Sequence, residues 1–429
     1  MTGRLSPTSN ILVIPQMSPV LPFEIIAEII DNVRENKDTS LLKELALVSH
    51  SFYQICSKHL FATVELHDAN SICRSSKKGF VNLLKSRPDI VKHIRKFTYK
   101  VGGHNDHDDN LLSPILPNYL RTIPRLSSLT IYGAKLEWNA LDSFLTSALL
   151  YLMHLPTINH IDLSFIQDFP LSSLPPSINL LRLDIFYLRR SNPREEDRSQ
   201  IIVLSEMMPK IREFRTSEST VLTSKLLHAV TLDGRPAFNF MDLRKLSIYF
   251  TRSEDERNLL YLLLNAKSLE KLHLSVDLGQ SLVGLHGILS PRARTLKVLK
   301  FTVPLYDQSP DNPLPLPLSG LCDELEAMAG HNILEALSFK IDVDGYETEK
   351  LIGSIIQNVE KVLLKPGWSD LRQVSFKISI ACCLVSREES AKLSEELQSL
   401  PGKYLSHLSK LESVAFNFSA SVVKCVFEH

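Results

Sequence analysis

Neither sign of charge is in excess: 48 Lys and Arg stand against 48 Asp and Glu in 429 residues, a formal balance of zero. A protein that works by bulk attraction to nucleic-acid phosphates carries a surplus of cations, so the composition argues against that class. Glycine (15) and proline (23) are too few for a collagen-like or low-complexity chain. Six cysteines, at 56, 73, 322, 382, 383 and 425, show no C-x-x-C spacing and no disulfide framework. They read as reduced thiols, which predicts a cytoplasmic or nuclear protein. No apolar run approaches the ~20 residues that span a bilayer, so no membrane segment is expected. Pro7 and Pro15 flank the short apolar patch near the N-terminus, a poor secretory signal.

Catalytic motifs are missing as well. The sequence has no G-x-S-x-G, P-loop, G-x-G-x-x-G or H-E-x-x-H, and no Cys/His pair at zinc spacing. His104, Asp106, His107, Asp108 and Asp109 crowd one Gly-led stretch, which reads as a polar loop because nothing around it fixes a coordination geometry. The Pro-dense stretch 309–320 reads as an exposed loop. The expectation is a chain that is not an enzyme, with no catalytic residues, no cofactor and no metal.

What is present divides into three parts. Residues 1–19 form a lead with no sustained period. At 20–60 the texture becomes helical: Ile25, Ile26, Ile29, Ile30 and Val33 recur at helical steps after Pro22, and Leu41, Leu45, Val48, Phe52 and Ile55 form a second stripe broken near Ser49 and Ser51. Residues 61–429 repeat an apolar-x-x-apolar-x-apolar unit. Its starts are Phe61, Ile94, Leu126, Ile158, Ile178, Ile211, Leu243, Leu269, Leu296, Leu334, Leu371 and Leu411. Prolines 124, 156, 176 and 209 stand two residues before an anchor, where they stop a helix and reset the chain to an extended path. Between the apolar positions the residues are nearly all polar, the alternation of a strand with one buried and one wet face. Helical stretches alternate with these strands. They include 139–153, opening with Asn139 as a cap, 349–364, and two with capping-box starts at Ser253 and Ser386. Crossover through a helix makes consecutive strands parallel, so the fold class expected is α/β.

The first helical segment resembles an F-box, through Leu21, Pro22, Glu24, Ile25, Ile29, Leu42, Leu45, Ala46, Leu47, Val48, Ser49 and Phe52. Family members dock these helices on the Skp-type linker of a Skp–cullin–F-box ubiquitin ligase. The resemblance implies linker and cullin subunits as partners, with Leu21, Pro22, Ile25, Ile29, Leu45, Val48 and Phe52 as docking residues, some of them also holding the bundle together. The remainder is similar to an irregular leucine-rich-repeat solenoid, although the position eight after each start holds residues such as Gly102, Ile166 and Asp277 instead of the family's Asn or Cys. By resemblance, then, the chain is a substrate-recognition adaptor; the alternative is a ligase-independent repeat scaffold or ligand-sensing protein. From Lys245 onward the polar strand positions carry Lys245, Lys271, Lys300, Lys340 and Lys377 and no carboxylate. Those five lysines are the expected binding site for an acidic or phosphorylated segment of an unidentified target.

Overall fold

The computed structural model describes residues 22–35, 39–67, 76–101, 115–174, 178–188, 202–203, 208–250, 253–276, 282–306, 320–344, 349–382 and 387–424. The chain divides into two compact units, Met1–Thr63 and Val64–His429. The first contains α1 (Phe23–Glu35), α2 (Thr39–Ala46) and α3 (His50–Leu60). Pro22 has no N–H to lose at a helix start, and its carbonyl accepts from Ile25 N at 3.1 Å and Ile26 N at 3.2 Å. Ser49 supplies the cap that starts α3, its Oγ accepting from Phe52 N at 3.3 Å. Ile26, Ile30, Leu42, Ile55 and Cys56 form the core, with Val33, Leu45, Phe52 and Leu60 packed against it. His59 Nε2 approaches Asp31 Oδ1 at 3.3 Å and joins α3 to α1.

In the second unit strands alternate with helices. The strands are β1 (Thr63–His67), β2 (Lys96–Val101), β3 (Ser128–Glu137), β4 (His160–Gln167), β5 (Arg182–Phe186), β6 (Ile202–Val203), β7 (Glu213–Ser217), β8 (Val230–Thr231), β9 (Lys245–Phe250), β10 (Lys271–Val276), β11 (Val298–Tyr306), β12 (Ala336–Asp344), β13 (Gln373–Cys382) and β14 (Ala415–Lys424). The helices are α4 (Ser76–Ser86), α5 (Ile115–Leu120), α6 (Ser143–Met153), α7 (Thr220–Leu227), α8 (Ser253–Asn265), α9 (Leu285–Leu289), α10 (Leu321–Met328), α11 (Glu349–Leu363) and α12 (Arg387–Tyr404). Twelve strands make one sheet in sequence order, β1-β2-β3-β4-β5-β7-β9-β10-β11-β12-β13-β14, while β6 and β8 pair separately. The described strand pairings within both sheets are parallel, as helical crossovers require, and an isolated antiparallel bridge joins Val230 to Pro236. The α/β expectation therefore holds. Among the described residues no helix is long and apolar enough to cross a membrane.

Alternate strand residues point into the core and are joined there by the apolar faces of the helices, such as Ile352, Ile356 and Val359 of α11. Phe301, Phe339 and Phe376 occupy one ladder position on β11, β12 and β13 and stack face to face. Their centroids are 5.6 Å apart at 9° and 5.0 Å apart at 17°. In β10 the opposite face is half-buried or exposed, Lys271, His273 and Ser275 alternating with buried Leu272, Leu274 and Val276.

Three details correct the sequence reading. The ladder aligns His160 with Arg182, so the fifth unit starts at Leu180, which is buried, and not at Ile178, which is exposed. Gln373 aligns with Ala415, so the last unit is likewise two residues later than Leu411. A slip of two preserves which side chains face the core. The cap of α6 is Asp142, whose Oδ2 accepts from Leu145 N at 3.2 Å, and Asn139 sits instead in the preceding 3-10 turn. The His104–Asp109 stretch, residues 1–19 and most of the Pro-dense loop lie outside the described residues.

Candidate functional site

The helical unit sorts the seven expected docking residues by burial. Pro22, Ile25, Ile29 and Val48 face solvent, whereas Leu45 and Phe52 are half-buried against the core. Leu21 lies outside the described residues. Ile25 is 42% and Ile29 40% exposed, one turn apart on α1, and the turn after α2 exposes Leu47 (87%) and Val48 (66%). Their neighbours Ile26 and Ile30 are buried. The α1 helix thus carries apolar residues on two faces, and only one of them is used by the core of its own unit.

The basic half of the sheet is a diagonal of ladder positions. Lys245 and Lys271 pair as neighbours on β9 and β10. Lys300 pairs with His273 of β10 and Ser338 of β12, and Lys340 with Thr302 and Lys377. Two of the five lysines are neutralised: Lys245 Nζ lies 2.5 Å from Glu213 Oε1, and Lys340 Nζ lies 2.5 Å from Asp342 Oδ2. The sequence reading found no carboxylate here because Asp342 stands one ladder step beyond the polar positions it counted. Among the described residues Lys271, Lys300 and Lys377 have no carboxylate partner, so they carry the uncompensated charge. His273 lies between them, with Nδ1 3.1 Å from Ser247 Oγ and Nε2 2.8 Å from Thr302 Oγ1. Burial, with the charges of Lys300, Arg215 and Lys340 adding to it, pushes the imidazole down to about 4, so it is neutral at pH 7. Sequence reasoning passed over His273, because its position between cations appears only once the strands are in register.

Farther along the same face, β4 and β5 bring together His160, Asp162, Arg182 and Asp184. Arg182 donates to Asp184 Oδ2 from Nε at 2.9 Å and Nη2 at 2.6 Å, and His160 Nε2 is 3.2 Å from the same oxygen. Asp162 Oδ1 accepts from Ser164 Oγ at 2.7 Å. Burial opposes ionisation of Asp184, but the hydrogen bonds from His160 and Arg182 and their positive charge hold its carboxyl below the usual range. Burial raises Asp162, against the Ser164 hydrogen bond and with the Asp184 charge adding to it. Beside this cluster Phe165 lies 5.1 Å from Tyr132 and stacks on Tyr187 at 4.4 Å and 10°. Phe165, Tyr187 and Glu218 each follow one aligned residue of β4, β5 or β7, and all three adopt positive φ (60°, 51° and 47°). Left-handed backbone at bulky residues is strained by about 1–3 kcal/mol each. The turn is held by Tyr187 N donating to Ser217 O and Leu188 N to Ser219 Oγ, both at 2.8 Å. A scan against protein-family models gives no match to this chain, and no curated protein matches it.

Proposed function

We propose that the chain is a non-catalytic substrate-recognition adaptor of a Skp–cullin–F-box type ubiquitin ligase. In this reading α1–α3 act as an F-box that docks on the linker. The parallel sheet acts as an irregular leucine-rich-repeat-like solenoid, whose polar face takes an acidic or phosphorylated segment of a target. The observation that carries the proposal is the second apolar face of the helical unit. Ile25, Ile29, Leu47 and Val48 stay in solvent while adjacent Ile26 and Ile30 fill the core. Exposed aliphatic groups gathered in about two dozen residues mark a surface meant for a partner. Supporting the second half, Lys271, Lys300 and Lys377 have no carboxylate partner among the described residues, and the charge of Lys300 adds to burial in holding His273 neutral.

The test is recovery of Skp-type linker with the tagged full chain. The double variant Ile25→Glu/Val48→Glu touches no core residue and should lower recovery at least tenfold, leaving circular dichroism unchanged. Equal recovery from the variant, or no linker captured by the parent protein, would reject the adaptor assignment and favour the ligase-independent scaffold.

A further inference from the structure

We propose that His160, Asp162 and Asp184 form a binding site for one divalent transition-metal ion of the zinc and manganese class, on the polar face of the sheet. One donor atom from each lies within 4.8 Å of the others. Zinc takes imidazole nitrogen and carboxylate oxygen at about 2.0–2.2 Å, so three donors around one ion stand roughly 3–4 Å apart. Small side-chain rotations close the difference.

The observation that points to a ligand is Asp184. Its side chain is 1% exposed, yet among the described residues Oδ1 has no hydrogen-bond partner. Arg215 Nε stands 3.9 Å from that oxygen, too far to donate. Buried carboxylate oxygens are almost always paired, so an orphan one calls for an explanation such as an ion. Arg182 grips Oδ2 through two nitrogens and fixes the carboxylate, which leaves Oδ1 as the metal donor. A small ion reaches a carboxylate this deep, where a lysine or guanidinium head from a partner does not.

The supporting shell is also in place. Ser128 Oγ lies 2.9 Å from His160 Nδ1, which fixes the ring and assigns Nε2 to the ion. Ser164 holds Asp162 Oδ1 and leaves Oδ2. Binding displaces the 3.2 Å contact between His160 Nε2 and Asp184 Oδ2. An imidazole with two carboxylates suits zinc or manganese better than calcium or magnesium, which take oxygen alone.

This inference does not depend on linker docking. The experiment strips the full chain with chelator, then titrates it with Zn²⁺ by calorimetry and with Co²⁺ by visible absorption. One ion per chain is expected, with a Co²⁺ spectrum showing nitrogen and oxygen ligation. His160→Ala and Asp162→Asn should abolish the site. Ser128→Ala and Ser164→Ala, which remove only supporting hydroxyls, should weaken binding roughly 10- to 100-fold. Circular dichroism confirms that each variant is folded. No saturable binding by the parent chain, or binding that survives His160→Ala, overturns the proposal. Linker recovery should be the same in all four variants.

Discussion

The change in His273 titration when Lys300 is removed isolates the charge on the basic half of the sheet from burial. The His273 imidazole is depressed from 6.5 to about 4, first by burial and then by Lys300, Arg215 and Lys340. In the unfolded chain it takes a proton as pH falls through about 6.5, while in the folded chain it resists until about 4. The unfolded state therefore binds more protons in that window. The contribution of His273 to stability is complete above pH 6.5 and is lost as pH falls toward 4. At 1.36 kcal/mol per pH unit the upper bound is about 3 kcal/mol. The ring is only part-buried, and screening reduces the figure to about 1–2 kcal/mol. The assay is NMR titration of the His273 ring C–H in the full chain, assigned by its loss in His273→Gln. Lys300→Gln removes the largest of the three charges and should raise the midpoint, short of 6.5 because burial remains. A parent midpoint between 6 and 7, or no change in Lys300→Gln, would refute both the placement of the ring and the positive field assigned to this surface.

Two further predictions concern the frame that holds the surface. Phe339 is fully buried between Phe301 and Phe376, so Phe339→Ala should cost about 3–5 kcal/mol, seen as a lower urea midpoint at unchanged slope, while Phe339→Leu costs less. A loss under 1 kcal/mol would mean that the ring is not in the core. Gly367 sits at φ 115°, and a Cβ there would lie 2.6 Å from Gly330 N and 2.9 Å from the Ala329 carbonyl carbon. Gly367→Ala should lower the melting temperature by an amount equivalent to about 2 kcal/mol or more, whereas Gly287→Ala, which meets no atom within 4 Å, should not destabilise. Equal melting temperatures for the two would discard the strain argument.

The strand path was legible in the sequence because the period of two is a local signal. Phe97, Leu129, Ile161 and Leu183 face the core for the same reason that Thr98, Thr130 and Asp162 do not. Even the two misplaced starts, at Ile178 and Leu411, left the facing correct. The exposed members of the helical unit were less legible. Ile25-Ile26 and Ile29-Ile30 are doublets, and spacing alone does not say which member of each pair turns inward; that is decided by where α2 and α3 pack. The His160–Asp184 cluster joins residues 24 apart in sequence, and it exists only because β4 and β5 pair in this register. Positive φ at Phe165 and Tyr187 has no compositional signal, since bulky residues normally avoid it. Asp342 was missed as the partner of Lys340 because the count stopped one ladder step early.

The register also converts the charge count into a shape. Lys271 stands on β10, Lys300 on β11 one ladder step of two residues farther along, and Lys377 on β13 a step beyond that. Three strand spacings of about 4.8 Å and four residues at about 3.3 Å place the ends of this diagonal roughly 20 Å apart. An extended chain covers that distance in about six residues. On the proposed function, the target segment that would fit this face is an extended run of about six residues with acidic or phosphorylated side chains along it, lying oblique to the strands. Lys340 lies beside this line, but its charge is already held by Asp342. The triple variant Lys271→Glu/Lys300→Glu/Lys377→Glu should abolish capture of an acidic peptide of that length, and parent binding should weaken steeply with salt. Reversing Lys245 and Lys340, both already paired, should have a smaller effect. If the two sets of reversals weaken binding equally, recognition follows total charge and not the uncompensated diagonal, and the geometric reading of this face is wrong.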